Sequence, residues 1–167
     1  YYFKNAWTRQ RKALDKKEKE IYTRDCGMKI DLLNLNWIYR AKKYYHMLPP
    51  DIYLMTIPIH YRIKVDEFKA LVEAPTVDQF MQLLANTYYE NRFHAMQRSE
   101  GMEQFYKACI HGMYLSDRRR NPYSLATVNT YLFLKEEEIN RLTTALECIR
   151  YGLTPRETLG YIGGAKK

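Results

Sequence analysis

The residues that could carry acid–base, nucleophilic or metal chemistry are sparse in this sequence and lie on different predicted elements. Its four histidines are far from one another, and its three cysteines have no metal-ligand spacing. Gly-rich phosphate loops and the Gly-x-Ser-x-Gly and His-Glu-x-x-His motifs are missing from it. We therefore expect no catalytic, cofactor-binding or metal-binding residue, and we interpret the histidines as surface or half-buried structural side chains. The histidines and cysteines are His46, His60, His94, His111, Cys26, Cys109 and Cys148.

Two closer groupings of reactive side chains also lack the geometry of a catalytic site. Cys109 and His111 are two positions apart on a predicted helix, which puts them on different faces. Glu136, Glu137 and Glu138 point in three directions around a helix and cannot converge on one substrate. We interpret the three carboxylates as a solvated helix face.

Basic side chains form the sharpest charge cluster, in a chain whose net charge is +8. Arg118, Arg119 and Arg120 could contact phosphate or carboxylate groups of a partner. They could also be a solvated helix end that complements the helix dipole and is partly neutralised by Asp117, and we favour this interpretation. The net charge is compatible with nucleic acid, an anionic membrane surface or an acidic protein. We assign the 16 tyrosines to core and interface packing rather than to base stacking.

No apolar run in the sequence reaches the roughly 18 residues that a membrane span requires. The best candidate, residues 51–63, is too short and contains Pro58, His60 and Arg62. An odd number of widely separated cysteines favours a reduced, cytosolic-type compartment over a disulfide framework. The start of the sequence contains no apolar signal segment. Because the chain lacks an initiating Met and Tyr1 lies inside a predicted helix, we expect it to be a fragment of a longer protein.

Composition and hydrophobic periodicity predict an all-α fold. Glycine is scarce, β-branched runs are short, and Leu, Lys, Glu, Arg, Met and Tyr dominate. Gly27, Pro49 and Gly152 are the predicted helix stops, while Thr76 and Thr154 begin capping boxes. An extended passage is predicted at 57–63, a polar break at 117–120 and a frayed tail at the end. The predicted helices cover residues 2–25, 30–46, 51–56, 65–73, a stretch after Thr76, 99–116, 122–151 and a short stretch after Thr154.

Apolar spacing also predicts which faces of the two longest helical patterns are buried. In the helix at 30–46, the predicted inward residues are Leu32, Leu35, Ile38 and Tyr39. In the helix at 122–151, they are Tyr131, Leu134, Ile139, Leu142, Ala145, Leu146 and Ile149.

The most informative pattern is a segment that occurs twice in modified form. Residues 29–48 are similar to residues 136–153, in a register that pairs Asp31 with Glu138. Both copies lead into a Leu, a Pro and a short predicted helix, so we predict two related helical units. The same register pairs Leu32 with Ile139, Leu35 with Leu142, Lys43 with Arg150 and Tyr44 with Tyr151.

The repeated segment resembles the signature of one family, the C/d subunits of the V-type and A-type rotary ATPases. Helices of that family carry an acid, Asn-Leu, an apolar residue, Arg or Gly before Lys, and then Gly-Leu, a Pro and a short helix. The second copy departs from this pattern where Arg141 replaces the Asn and Glu147-Cys148 replaces the usual Gly-Lys. The first copy matches at Asp31, Asn34, Leu35, Ile38, Arg40 and Lys42, and the second at Glu138, Ile139, Leu142, Gly152 and Leu153.

The resemblance implies a funnel-shaped, pseudo-threefold protein built of three helical units. This chain would hold two of them, residues 1–120 and 121–167. The implied role is a non-catalytic socket that links the central shaft, made of the D and F subunits, to the membrane rotor ring of c (K) subunits. It would transmit torque for ATP-coupled H⁺ or Na⁺ transport, from the cytoplasm and peripheral to the membrane, without a cofactor and without a membrane span of its own.

We expect the motif residues to organise the repeat, and we name Lys43 and Arg118–Arg120 as possible contacts to the shaft or the ring. The alternative function is a basic helical module that binds nucleic acid. The net charge, the arginine run and the abundant tyrosine favour it. Acidic residues that interrupt the basic stretch at 9–19, and the lack of helix-turn-helix spacing, oppose it.

Overall fold

The computed structural model describes residues 2–90 and 101–163. Within these ranges the chain forms eight α-helices and no β-strand, which confirms the predicted all-α class. The helices are α1 (Tyr2–Ala13), α2 (Lys16–Tyr44), α3 (Pro49–Met55), α4 (Val65–Glu73), α5 (Val77–Leu84), α6 (Met102–Arg120), α7 (Leu125–Arg150) and α8 (Pro155–Tyr161).

The first two helices differ from the prediction, which ended the first helix at Gly27. The break comes earlier, because the Asp15 side chain accepts a hydrogen bond from the Glu18 N–H at 2.9 Å and caps a new helix. α2 then continues through Gly27 as one helix of 29 residues. Gly27 permits a close contact instead of a stop: a Cβ built there would lie 2.5 Å from Cγ of the Tyr61 ring.

α2 is the centre of the fold, and its buried face organises the main apolar core. Leu32, Leu35 and Ile38 are at most 1% exposed, as their spacing predicts. α2 packs against α1, α3, α5, α6 and α7. Other large side chains of this core are Ile52, Phe68, Leu71, Phe80, Tyr89, Phe105 and Ile110.

Three short helices follow α2 and agree closely with the sequence prediction. Pro49 lies in the first turn of α3, where its missing N–H costs no helical hydrogen bond. α4 has the predicted bounds. At the start of α5, the Thr76 hydroxyl accepts a hydrogen bond from the Gln79 N–H at 3.2 Å. Residues 57–63, between α3 and α4, are non-helical as expected, and we call them the 57–63 segment.

The junction between α6 and α7 differs from the prediction at both helix ends. The predicted polar break at 117–120 is the last turn of α6. α7 begins at Leu125 rather than at Pro122, because the Ser124 hydroxyl accepts a hydrogen bond from the Ala126 N–H at 3.2 Å.

The C-terminal helix boundaries confirm the predicted signals. Gly152 has a φ of 71° and lies just past the end of α7. The capping box at 154–157 is formed, with Pro155 in the first turn of α8. The predicted start near Ser99 and the tail at 164–167 lie outside the described residues.

The predicted buried face of α7 is wrong for most of its residues. α7 packs on α6, α2 and α8, and its buried residues are Ala126, Thr130 and Cys148, while Leu134 and Ala145 are partly buried. Periodicity identifies an apolar stripe but not whether a neighbouring element covers it. The predicted inward residues that are instead 58–66% exposed are Tyr131, Ile139, Leu142, Leu146 and Ile149.

Gly27→Ala tests the contact between α2 and the Tyr61 ring. The added methyl group must displace the root of that ring, so we expect the free energy of unfolding to fall by about 1–3 kcal/mol. Gly112→Ala is the matched control, because the space around Gly112 in α6 is open within 4 Å. It should gain about 0.5–1 kcal/mol from helix propensity. Urea unfolding followed by circular dichroism measures the free energy of unfolding of both variants. If both variants were stabilised equally, the close contact between Gly27 and the Tyr61 ring would be contradicted.

Candidate functional site

Asp31, the acid of the first repeat, lies at the centre of a polar site where α2 meets the 57–63 segment. Its side chain is buried, and its carboxylate oxygens accept hydrogen bonds from three successive backbone N–H groups and from one hydroxyl. The carboxylate thereby satisfies backbone groups that have no helix partner. The donors are Tyr61 N at 3.0 Å from Oδ1, and Arg62 N at 2.6 Å, Ile63 N at 3.3 Å and the Tyr89 hydroxyl at 3.2 Å from Oδ2.

One turn further along α2, Asn34 contacts the start of the same segment. Its Nδ2 donates to the Ile57 carbonyl oxygen and its Oδ1 accepts from the Ile57 N–H, both at 2.9 Å. A side-chain amide carries one donor group and one acceptor, so it satisfies both backbone groups of a single buried residue. Leu35, the next motif residue, is fully buried in the core. The Asn-Leu pair therefore combines one polar contact with one apolar contact.

Lys42 binds the C-terminal end of α4. Its Nζ donates hydrogen bonds to the carbonyl oxygens of Val72 and Ala74, both at 2.6 Å. The last carbonyls of a helix lack intrahelical donors, and an ammonium group there also complements the negative end of the helix dipole. Partial burial lowers the pKa of Lys42. Like Asp31 and Asn34, this motif residue contacts the chain's own backbone.

Arg40 and Lys43 lie on the exposed side of α2. Arg40 Nη1 is 3.7 Å from the Glu103 carboxylate, and both side chains are largely exposed. The Lys43 ammonium donates to the Tyr39 hydroxyl at 2.8 Å, which raises the pKa of Lys43. It also lies 5.3 Å from the centre of the Tyr44 ring. Lys43 therefore remains a positively charged surface group.

The charge state of the Asp31 site reflects two opposing effects. Burial raises the pKa of Asp31, while its hydrogen bonds favour the carboxylate and lower it. Burial and the neighbouring Asp31 both raise the pKa of Tyr89. The Tyr89 hydroxyl thus stays protonated and remains a hydrogen-bond donor.

The second repeat copy keeps the register of the first but has a different environment. Glu138 is exposed and pairs with Lys135 of its own helix at 2.7 Å. Ile139 and Leu142 are 61% and 58% exposed, whereas the matching leucines of α2 are 1% and 0% exposed. Within the described residues, the second copy does not bring its acid against a loop.

The remaining residues of the second copy lie on the surface of α7 and at its C-terminal end. Arg141, which replaces the family's Asn, lies 3.8 Å from Glu137 one turn earlier. The Leu153 N–H donates to the Cys148 carbonyl oxygen at 3.0 Å, just beyond Gly152. Gly152 and Leu153 thus end the helix, as the Gly-Leu of the motif predicts.

Arg118, Arg119 and Arg120 are exposed in the last turn of α6. The expectation that Asp117 partly neutralises them is wrong. Asp117 is 3% exposed and turns inward, where it accepts a hydrogen bond from Arg24 Nε at 2.7 Å. The three arginines therefore form a cationic helix end that Asp117 does not offset.

Asp117 belongs to a buried carboxyl pair that no sequence motif indicates. Its neighbour is Asp25 of α2, which is also buried, and the proximity of the two carboxyl groups favours the neutral form of Asp25. Arg24 Nε lies 2.7 Å from Asp117 Oδ2 and 3.9 Å from Asp25 Oδ1. Asn129 of α7 donates to Asp25 Oδ2 at 3.2 Å. The pair thus joins α2, α6 and α7.

The pKa of Asp25 is raised to about 7. Burial is the main cause, and the hydrogen bond with Asp117 adds to it, whereas Asn129 and Arg24 act in the opposite direction. Burial therefore favours the neutral form of Asp25 at the junction of the three longest helices.

Two histidines of the part of the chain that the structure describes lie beside aromatic rings. His60 packs 4.6 Å from the Phe68 ring, and partial burial lowers its pKa. His111 is 6.2 Å from the Phe133 ring, and His94 lies outside the described residues. In residues 2–90 and 101–163, no three His, Cys, Asp or Glu side chains are placed to hold a metal ion. No helix of this part is both long and apolar enough to cross a membrane.

The fold and the site define a helical protein in which Asp31, Asn34 and Lys42 of the first repeat bind its own backbone. The sequence model of the ATP synthase (C/AC39) subunit family matches residues 1–161. The chain therefore belongs to this family of V/A-type ATP synthase subunits, as its repeat predicts. No curated protein and no solved structure is significantly similar to it.

Asp31→Ala tests the role of the buried acid, with Glu138→Ala as the control at the matching position of the second repeat. Removing Asp31 leaves buried N–H groups without an acceptor, so we expect the free energy of unfolding to fall by about 3–5 kcal/mol. Removing the exposed Glu138 should change it by no more than about 0.5 kcal/mol. Urea unfolding measures both, and similarly small effects would show that Asp31 does not organise the 57–63 segment.

Asp25→Asn tests the buried carboxyl pair through pH. In the unfolded chain Asp25 titrates near its ordinary value of 3.8, and in the folded chain near 7. The folded state holds the extra proton between these values, so the free energy of unfolding should fall as pH rises through this window.

Asn has no titratable proton, so no charge develops at position 25 at any pH. The variant should therefore lose this part of the pH dependence and exceed the wild type in stability at pH 8. Glu20→Gln, an exposed carboxylate of α2, should leave the pH profile unchanged. Parallel profiles of the wild type and Asp25→Asn would rule out the raised pKa.

Proposed function

We propose that this chain acts as the non-catalytic adapter of the central stalk in a V/A-type ATPase. It links the shaft of D and F subunits to the membrane rotor ring of c (K) subunits and transmits torque for ATP-coupled H⁺ or Na⁺ transport. It works in the cytoplasm, peripheral to the membrane, and residues 1–120 and 121–167 are its two helical units. The family match over residues 1–161 carries this proposal.

Mechanical stiffness is the property that such an adapter needs, and two features of the chain support it. α2 has 29 residues and α7 has 26, so at 1.5 Å per residue each extends over about 40 Å. Polar contacts inside the fold connect α2 to the elements around it, through Asp31, Asn34 and Lys42. Relative movement of these elements would break buried hydrogen bonds, which opposes bending under load.

Exposed cations are the best candidates for contacts with the shaft or the ring. Lys43 lies at the end of α2, and Arg118–Arg120 form the cationic end of α6. Charges at the rim of an interface mainly set the association rate and the salt dependence of binding. Lys42 is excluded from this role because its ammonium group binds α4.

A binding titration with the purified D–F shaft from the same source tests the proposal, with duplex DNA as a parallel ligand at about physiological salt. We expect saturable binding to the shaft and none to DNA. Replacing Arg118, Arg119 and Arg120 together by Ala should weaken shaft binding about tenfold. Replacing Lys16, Lys17 and Lys19, which are exposed at the start of α2, removes the same charge and should leave binding unchanged.

The other outcomes separate the competing functions. Salt-sensitive binding to DNA alone would favour a basic nucleic-acid-binding module, the function to which the net charge of +8 also points. Binding to neither ligand would contradict the adapter. If both triple variants bind the shaft as well as the wild type, the adapter stands and the arginine contact is wrong.

A further inference from the structure

α7 buries few of its residues against the rest of the fold. Ala126, Thr130 and Cys148 are the buried residues among its 26, whereas α2 buries twelve of its 29. Phe133 adds a ring contact with Tyr114 of α6, at 4.9 Å between the ring centres. Because little apolar surface is buried, hydrogen bonds contribute a large share of the attachment of α7. Segments held in this way open before the core does.

Three hydrogen bonds of the described residues connect the first two turns of α7 to α2 and α6, and we call them the α7 seam. Two of them end on carboxyl groups of α2, and the third ends on a backbone carbonyl of α6. The α7 seam therefore holds α7 against both helices. The three bonds run from the Leu125 N–H to Glu18 Oε2 at 2.9 Å, from Asn129 Nδ2 to Asp25 Oδ2 at 3.2 Å and from the Thr130 hydroxyl to the Tyr114 carbonyl oxygen at 2.8 Å.

Asp25 makes the α7 seam sensitive to a proton. Its side chain is buried, and among the described residues no group donates a hydrogen bond to its Oδ1. An ionised carboxylate that leaves water needs donors at both of its oxygens. The closed seam therefore accommodates the neutral acid better than the carboxylate.

The charges around Asp25 also favour the neutral acid. Asp117 of α6 is its carboxyl neighbour, and the cation between them is Arg24, whose Nε lies 2.7 Å from Asp117 and 3.9 Å from Asp25. If both acids were ionised, two buried carboxylates would share one guanidinium group, which is costly away from water. α7 faces Asp25 with Asn129, which carries no charge. Two further neighbours are neutral because burial raises the pKa of each, namely Tyr114 of α6 and Cys26 of α2.

We infer that loss of the proton from Asp25 opens the α7 seam, so that α7 separates from α2 and α6 while the core around α2 stays folded. α8 packs on α7 and moves with it, and α2 keeps its contacts with α1, α3, α5 and α6. In the open state water solvates the carboxylate, which removes the cost of burying it. This inference does not rest on the proposed function.

The direction of the pH dependence follows from the state that holds the proton more tightly. With the seam closed, the pKa of Asp25 is raised to about 7, and with the seam open the solvated group titrates near its ordinary value of 3.8. Between these values the closed state holds the extra proton, so opening becomes easier as pH rises and levels off above the higher value. A single group changes the opening constant by at most about tenfold per pH unit.

Hydrogen exchange of the Leu125 amide, followed by NMR from about pH 5 to pH 8, tests this opening. That amide donates across the seam and not within α7, so its exchange reports the separation directly. Its protection factor, which is corrected for the intrinsic pH dependence of exchange, should fall by up to about tenfold per pH unit and level off above about pH 7. It should remain below the protection of amides in the buried part of α2.

Two seam variants separate the proton from the other contacts. In Asp25→Asn the protection of the Leu125 amide should not vary with pH in this way, and at pH 8 it should exceed that of the wild type. Thr130→Val removes a seam hydrogen bond without changing any charge. It should lower the protection about fivefold at every pH and keep the slope of the wild type.

A core variant separates local opening from global unfolding. Ile52 of α3 is fully buried, and α3 packs on α2 and α4. Ile52→Val should lower the protection of the buried α2 amides about threefold to tenfold and leave the Leu125 amide unchanged. A Leu125 amide that is protected like the buried α2 amides, or that Ile52→Val weakens equally, would overturn the local opening. The same pH profile in the wild type and in Asp25→Asn would overturn its control by the proton.

Discussion

A buried carboxylate in the middle of a long helix constrains the geometry of the whole N-terminal part of this chain. Asp31 can leave water only if hydrogen-bond donors reach both of its oxygens. The 57–63 segment supplies three of them from its backbone, and Tyr89 supplies the fourth. This requirement brings the Tyr61 ring so close to α2 that only a glycine fits at position 27.

The two repeat copies show that the same motif has different consequences in different surroundings. In α2 the acid and the apolar positions meet a loop and the core, whereas in α7 Glu138 pairs with Lys135 and the apolar positions remain exposed. A subunit of a large assembly needs a tightly connected interior, which gives stiffness, and exposed faces, which contact neighbouring subunits. The Asp25–Asp117 pair adds a titratable contact where α2, α6 and α7 join.

Local signals in the sequence predict much of this structure. The bounds of α4, the N-cap at Thr76, the capping box at Thr154 and the end of α7 at Gly152 all depend on neighbouring residues, and all are confirmed. The Gln79 half of the capping box predicted at Thr76 is not formed. Features that depend on distant residues could not be predicted in this way. Glycine commonly ends a helix, which is why the prediction stopped the helix at Gly27. Only the close approach of the Tyr61 ring explains why this glycine lies inside α2. Periodicity likewise identified Ile139, Leu142, Leu146 and Ile149 as an apolar row of α7, but not that these side chains face solvent.

Hydrogen exchange of the backbone amides that Asp31 and Asn34 bind tests the central role of the α2 motif most directly. These amides belong to Ile57, Tyr61, Arg62 and Ile63, in a segment without regular secondary structure. If the motif fixes the segment on α2, they should be protected as strongly as amides in the buried part of α2 itself. Exchange at the rate of an unstructured peptide would contradict this role, because the segment would then open without disturbing the core.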